Sequence, residues 1–392
     1  MSTTARPTAA ADAVRLIERQ DDFLRLLDEM RGADLLAVDT EAASFHKFRD
    51  RVYLLQLSTR ELTAVVDPLA VTDMSAFGQM LADPTVEIVF HDADYDVRLL
   101  DHEYQLRPTA LFDTRIAAQL LNEPGVGLAA LLEKYFGLKL DKRYQRADWS
   151  ARPLSAPMLA YAAADTHHLP QLRDILKAQL EERGRWSWAR EEFALLADIR
   201  WHERQDDDEP AWLKMKGAKA LKGLSLAVLR ELWLWRDTTA ERLDKAAFRI
   251  LNNEPMLAIA AAPPTDLTQL SAIKGIGGEL LERRGKDLLR AVERARALPE
   301  AQWPKVPRLQ RRAPDPAYEA RLDALKTCRN ALAKAYDLQP GVLCPNGILE
   351  GIARLQPTDA PALSQVPGMR KWQMDEFGQT LLDSVAVQTP TA

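Results

Sequence analysis

The chain has 392 residues, 47% of them hydrophobic and 28% charged, with a formal net charge of −5 at pH 7. That is room for two or three domains of ordinary globular composition. No apolar run approaches the ~18 residues that suggest a membrane span, and Cys328 and Cys344 are too few for a disulfide framework or a cysteine-based zinc site. The opening residues, rich in alanine and threonine, lack the apolar core of a secretory signal. They read as a loose tail over 1–20, and a cytoplasmic, monomeric protein without a membrane partner is expected. Residues 34–40, 51–58, 62–67 and 86–91 are rich in Val, Leu and Ile and read as strands. Short connections between the first three predict an antiparallel meander. Helical patterns follow at about 93–102, 113–121, 128–136 and 156–183, the last broken or kinked at Pro170. These elements predict an α/β domain over 21–207.

Acids fall at the ends of these elements. The strand around Val38 ends in Asp39-Thr40-Glu41, and a side-chain period of two sends Asp39 and Glu41 to one face. Adjacent carboxylates repel unless a cation lies between them; a strand-end ion pair is the alternative. After the 86–91 strand, Asp92 reads as a helix N-cap and Asp94 as a first-turn acid that suits the helix dipole. Capping explains Asp96 least. In Tyr161-Ala162-Ala163-Ala164-Asp165, positions four apart share a helix face, so a phenol and a carboxylate project together. A buried tyrosine beside an exposed acid is the plainer alternative.

The three segments resemble the motifs of the DEDDy exonucleases, named for four acids and a tyrosine, and within that group the ribonuclease D family. The likeness extends through 112–120 and through 140–154, including Asp148-Trp149-Ser150-Ala151-Arg152-Pro153-Leu154. Ala42 departs from the bulky residue that many relatives carry there, with Phe45 three positions on. The resemblance implies a ribonuclease H-like fold and release of nucleoside 5′-monophosphates from RNA 3′ ends. It implies that Asp39, Glu41 and Asp165 hold one Mg²⁺ or Mn²⁺, and that Asp39 and Asp96 hold a second, directly or through water. Tyr161 would hold or deprotonate the attacking water; a phenol pKa of ~10 favours orientation over full base action unless the metals shift it. The implied substrate is structured RNA with a short 3′ tail, chiefly precursor tRNA. A DNA exonuclease, which differs in lacking 2′-hydroxyl contacts, and a non-catalytic RNA-binding adaptor are the alternatives. Arg146, Trp149 and Arg152 are candidate RNA contacts, or else a packing loop. His91 reads as structural or as a substrate contact, His167 and His168 as structural or solvated, and Asp113 as a helix cap.

Around 205–210 the chain turns acidic and polar, which marks a boundary, and no strand signal follows. Residues 211–312 carry 20 Lys and Arg against 11 Asp and Glu, a net +9, leaving −14 for the rest. An acidic catalytic region beside a basic module suits metal ions in one place and phosphates in another; a solvated mixed-charge surface is the alternative. Shifted by 93 residues, the sequence aligns with itself without gaps: Arg236 with Arg329, Asp244 with Asp337, Asn253 with Asn346, Gly275 with Gly368 and Gly285 with Gly378. So long a period means two whole helical domains, expected over 211–298 and 315–386 and joined by a proline-spaced linker, 299–314, of limited flexibility. Both copies resemble HRDC domains, and two of these after a DEDDy exonuclease is the ribonuclease D arrangement. In the first, Lys274-Gly275-Ile276-Gly277-Gly278 opens a helix whose backbone N–H groups can receive a phosphate. Lys274, Gly275 and Gly277 are therefore candidate RNA contacts, with a packing turn as the alternative. Trp233 and Trp235 read as core. The two copies would grip the RNA body, so truncation after about 210 is expected to flatten the salt dependence of binding and to spare short tails.

Overall fold

The computed structural model describes residues 14–140, 142–201, 209–307 and 315–386. Most of the expected tail, residues 205–208 of the acidic boundary and the second half of the linker lie outside the described residues. Six strands form one mixed sheet: β1 (Arg15–Ile17), β2 (Leu35–Glu41), β3 (Leu54–Ser58), β4 (Thr63–Val66), β5 (Glu87–Phe90) and β6 (Leu111–Asp113), in the order β1-β4-β3-β2-β5-β6. The meander β2-β3-β4 is antiparallel as predicted. β5 and β6 extend it in parallel beyond β2, and β1 does so beyond β4. β1 lies in the segment read as tail, and β6 was not anticipated, because three residues carry no measurable period. Around the sheet come α1 (Gln20–Glu29), α2 (Ser75–Ala82), α3 (Asp94–Tyr104), α4 (Thr114–Leu120), α5 (Leu128–Phe136), α6 (Ala156–His167), α7 (Leu169–Glu182) and α8 (Trp186–Ala197). The long helix read over 156–183 is thus two. Pro170 sits in the first turn of α7, where its missing N–H costs nothing.

The sheet places the acids. Pairing of β2 with β5 ends at Ala37 and Val89, whereas pairing with β3 continues to Glu41 opposite Leu54. Asp39 and Glu41 therefore project past the end of β5, where the chain turns into α3. β3 and β5 leave β2 on opposite sides, and the crevice at the carboxyl ends of strands beside such a reversal is where α/β sheets hold ligands.

The helical half repeats in three dimensions. After α9 (Ala211–Lys214), the first copy contains α10 (Gly223–Leu243), α11 (Ala247–Ile250), α12 (Asn253–Ala261), α13 (Leu267–Ser271) and α14 (Gly278–Ala297). The second contains α15 (Pro316–Ala335), α16 (Pro340–Leu343), α17 (Asn346–Leu355), α18 (Ala360–Ser364) and α19 (Lys371–Ala386), each starting 93 residues after its counterpart. Trp233 and Trp235 pack against the first copy's core as expected, and so do Trp303 and Val306 of the described part of the linker.

Two compact units result, and they cut across the order of the sequence. One contains the sheet and its helices together with the second copy. There Trp372 stacks on Trp188 of α8 with ring centroids 4.6 Å apart. Glu191 accepts from the backbone N–H of Lys371 and Trp372 at 2.6 and 2.9 Å, and Glu192 pairs with Arg370 at 3.0 Å. The other unit contains the first copy and, with it, Ala42–Arg51, the loop that follows Glu41. Arg249 Nε donates to the Phe45 carbonyl at 2.6 Å, Ala246 N–H to the His46 carbonyl at 3.0 Å, and Lys47 pairs with Asp244 at 2.8 Å.

Candidate active site

Three carboxylates meet at the end of β2. Ligand-capable oxygens of Asp39, Glu41 and Asp165 all lie within 4.8 Å of one another. The strand period supplies the first two and α6 the third. α6 packs across β2, β3 and β4. Thr166, fully buried beside Asp165, bonds Ser58 Oγ at 2.8 Å and pins the helix to β3. Tyr161, one turn back on the same face, hydrogen-bonds Asp165, so the projected pairing of phenol and carboxylate holds. Asp96 stands behind the group of three. Its Oδ1 accepts from the backbone N–H and hydroxyl of Thr40 at 3.1 and 2.5 Å, tying α3 to the middle of the Asp39-Thr40-Glu41 triplet.

The start of α3 differs from expectation. Asp92 does not cap it. Its backbone is left-handed (φ 67°) and its carboxylate pairs with Arg115. The N-cap position falls to Ala93, whose N–H donates at 2.8 Å to Asp113 on the far side of β5. Asp113 also caps α4, accepting from Ile116 N–H at 2.8 Å, as its position before a helix predicted. A long-range acid thus replaces the local one, which no local pattern could reveal.

The charges are frustrated. Burial, and then the charges of Asp96, Asp165 and Glu41, hold Asp39 far above the ordinary carboxylate range. Burial, and then Asp165 and Asp96, do the same to Glu41. Burial pushes Asp165 up to about 7 against the opposing bond from Tyr161, and Asp96 up to about 7 against its bonds from Thr40. Burial, and then the carboxylates of Asp165, Glu41 and Asp39, keep the Tyr161 phenol protonated far above its usual range. Acids that oppose one another's ionisation are what a bound divalent cation relieves. The donor set fits a hard cation, since it offers oxygen alone. Gln56 sits directly across from Asp39 in the β2–β3 register. Its buried amide has no hydrogen-bond partner among the described residues.

The acids open into a cleft of about 520 Å³ whose described lining contains neither lysine nor arginine. One wall is the first turn of α5, Gly127 to Ala130, with Gln145 nearby. None of these was singled out from sequence; the only signal is a glycine at the N-cap of α5. His91 also lines the cleft, bonds Thr114 at 2.9 Å, and is pushed down to about 4 by burial, so it is neutral at pH 7. His167 bonds Thr63 Oγ1 at 2.9 Å and His168 stacks on Phe136, both structural roles.

The other candidates separate. Trp149 is buried beside Tyr161, with ring centroids 6.1 Å apart. Arg152 is committed to Asp67 at 2.5 and 2.8 Å and to the Tyr53 and Trp149 carbonyls at 2.7 Å. These two form the packing loop that was the alternative. Arg146 is exposed. Lys274, Gly275 and Gly277 belong to the other compact unit. Lys274 pairs with Glu254 at 3.7 Å. Gly275 has φ 92°, which favours glycine, and a Cβ there would stand 3.3 Å from Pro255. The packing role anticipated for that turn is therefore present.

Comparison with known proteins agrees. The 3′-5′ exonuclease family matches over residues 14–181, and the HRDC domain family matches twice, over 225–292 and 319–385. Ribonuclease D of Granulibacter bethesdensis is 32% identical over 94% of this chain and 91% of its own length. The structure of Escherichia coli RNase D, an exoribonuclease involved in structured RNA processing, aligns with a TM-score of 0.69 at 27% identity, covering 95% of this chain and 99% of that one. The catalytic core of RRP6 from Trypanosoma brucei aligns with a TM-score of 0.66 at 29% identity, covering 76% of this chain and 84% of that one. With an exonuclease domain, two HRDC copies and relatives spanning nearly its whole length, the chain belongs to the ribonuclease D family and is a 3′→5′ exoribonuclease.

Proposed function

We propose that the acidic cleft holds two divalent cations, Mg²⁺ or Mn²⁺, with Asp39, Glu41 and Asp165 serving one position and Asp39 and Asp96 the other. The observation that carries this reading is the meeting of three carboxylates within 4.8 Å, with Asp96 bound behind them. When bound, such cations activate water and neutralise charge on the attacking and leaving oxygens.

The chain's own residues orient and exclude. Tyr161 stands one helical turn from Asp165 on the same face, where its hydroxyl can hold and orient the attacking water. Thr40 fixes Asp96, and Thr166 fixes the helix that presents Asp165. His91, neutral, borders the cleft and adds no positive charge to it. The products are nucleoside 5′-monophosphates. The substrates are 3′ extensions of structured RNAs, precursor tRNA foremost, acted on by a monomer in the cytoplasm. The description of the Escherichia coli relative supports the structured RNA substrate, and the two free cysteines suit a reducing compartment. Relatives that act on RNA and the presence of all five motif residues disfavour the DNA exonuclease and the adaptor.

The test is product analysis on a 3′-extended tRNA with Mg²⁺. The wild type should release mononucleotides and EDTA should stop it. Asp39→Asn should release none while still binding the RNA. Product from Asp39→Asn would show that the cations are held elsewhere.

A further inference from the structure

The first helical copy contains its own control, the same face of the second copy 93 residues on. In the second copy Leu338, Trp372 and Phe377 are buried, while the exposed Gly341 and half-buried Val342 line a cavity together with Ile116 and Leu120 of α4. In the first copy the equivalent residues are Lys245, Glu279 and Arg284, then Phe248 and Arg249, while Arg283 stands where the second copy has Glu376. Lys245, Arg249, Arg283 and Arg284 line a cleft of about 270 Å³ beside Gly275, in which Glu279 is the sole described carboxylate. Lys245 and Arg284 have no ion-pair partner among the described residues. Arg283 pairs only with Glu279, at 3.2 Å, and both side chains are more than 70% exposed. Such a pair is worth little and is readily exchanged.

Two aromatic rings adjoin these cations. Phe248 is 42% exposed and Phe45 is 43% exposed. They meet edge to face with centroids 6.3 Å apart, and Arg249 holds the Phe45 carbonyl at 2.6 Å. Phe45 lies four residues after Glu41, a span of at most about 14 Å of extended chain.

We propose that Phe45 and Phe248, with Lys245, Arg283 and Arg284, form a platform for the single-stranded part of the RNA. Exposed rings offer stacking surfaces to unpaired bases, and the surrounding cations take the phosphates between them. A duplex presents phosphates but no base face to stack. The proposal rests on the reading of the chain as an RNA hydrolase and adds where the unpaired strand is held.

The experiment is fluorescence anisotropy of a short labelled oligouridylate with the full chain in EDTA, so that nothing is hydrolysed, over a series of KCl concentrations. Phe248→Ala should weaken binding about 5- to 150-fold, as loss of one stacked base does, and leave the salt slope unchanged. Phe248→Tyr should retain affinity. Replacing Arg283 and Arg284 together by alanine should lower the salt slope by about 1.4, two phosphates' worth for a single strand. Arg354→Ala, on the second copy, should change neither. A blunt RNA duplex should be insensitive to Phe248→Ala. Unaltered oligouridylate binding by Phe248→Ala, or an equal loss on the duplex, overturns the platform. Hydrolysis of the same oligonucleotide by the wild type with Mg²⁺ tests the enzymatic reading separately, so either can fail alone.

Discussion

Arg236 and Arg329 make the same two bonds in the two helical copies. Arg236 reaches Asn253 Oδ1 at 2.7 Å and the Leu251 carbonyl at 3.1 Å; Arg329 reaches Asn346 Oδ1 at 2.6 Å and the Cys344 carbonyl at 3.3 Å. Asp266 and Asp359 cap the equivalent short helices at 2.8 Å. Gly285 and Gly378 each admit a leucine methyl where a Cβ would stand 2.8 or 3.2 Å away. Asp244 and Asp337 both end the first long helix in a left-handed turn, φ 46° and 49°. The skeleton is held by contacts internal to each copy, and these repeat. The outer faces do not. The second copy buries Trp372 against Trp188 of α8 and Phe377 against Trp372, whereas at those positions the first has an exposed Glu279 and a half-buried Arg284. The corner aspartates serve different partners: Asp337 takes Asn122 at 2.9 Å, and Asp244 takes Lys47. A duplicated fold thus conserves what makes it fold and diverges where it meets the rest of the molecule.

The contrast can be broken most directly at the equivalent positions Trp372 and Glu279. Trp372→Ala should cost about 3–5 kcal/mol in urea unfolding, as a buried tryptophan does, whereas Glu279→Ala should stay within about 0.5 kcal/mol. Equal costs would mean that the second copy is not docked as described. Next in size is the shared arginine clamp. Arg236 is buried, and its guanidinium lies 4.3 Å from the Trp233 ring. Arg236→Ala should therefore cost about 2–3 kcal/mol, and Arg329→Ala, which is less buried, about 1 kcal/mol, because charged hydrogen bonds matter more when desolvated. Smaller than the clamp's is the effect of the pair of Lys47 with Asp244. Lys47→Ala should lower stability by under about 1 kcal/mol, and a larger loss would show that the 42–51 loop depends on that one ion pair.

The same contrast qualifies the truncation that the sequence suggested. Removing everything after about 210 would uncover Trp188 of α8 and strip Arg249 and Phe248 from the loop that follows Glu41. Impaired cleavage of short tails is then the expected outcome, and point substitutions on the first copy are the cleaner probe of RNA binding.

What was legible in the sequence was periodic or repeated. A period of two put Asp39 and Glu41 together, a helical turn joined Tyr161 to Asp165, and a 93-residue shift exposed the duplicated helices with their starts in register. These depend only on the geometry of one strand, one helix or one copied module, which local chemistry dictates. The tertiary structure alone decided which acid serves the start of α3, with Asp113 in place of Asp92. It committed Arg152 to Asp67 across 85 residues, and it assigned Ala42–Arg51 to the first helical copy and the second copy to the sheet. Each of those outcomes rests on partners distant in sequence, where a buried charge or ring finds its complement only once the chain has folded, and no local pattern records that meeting.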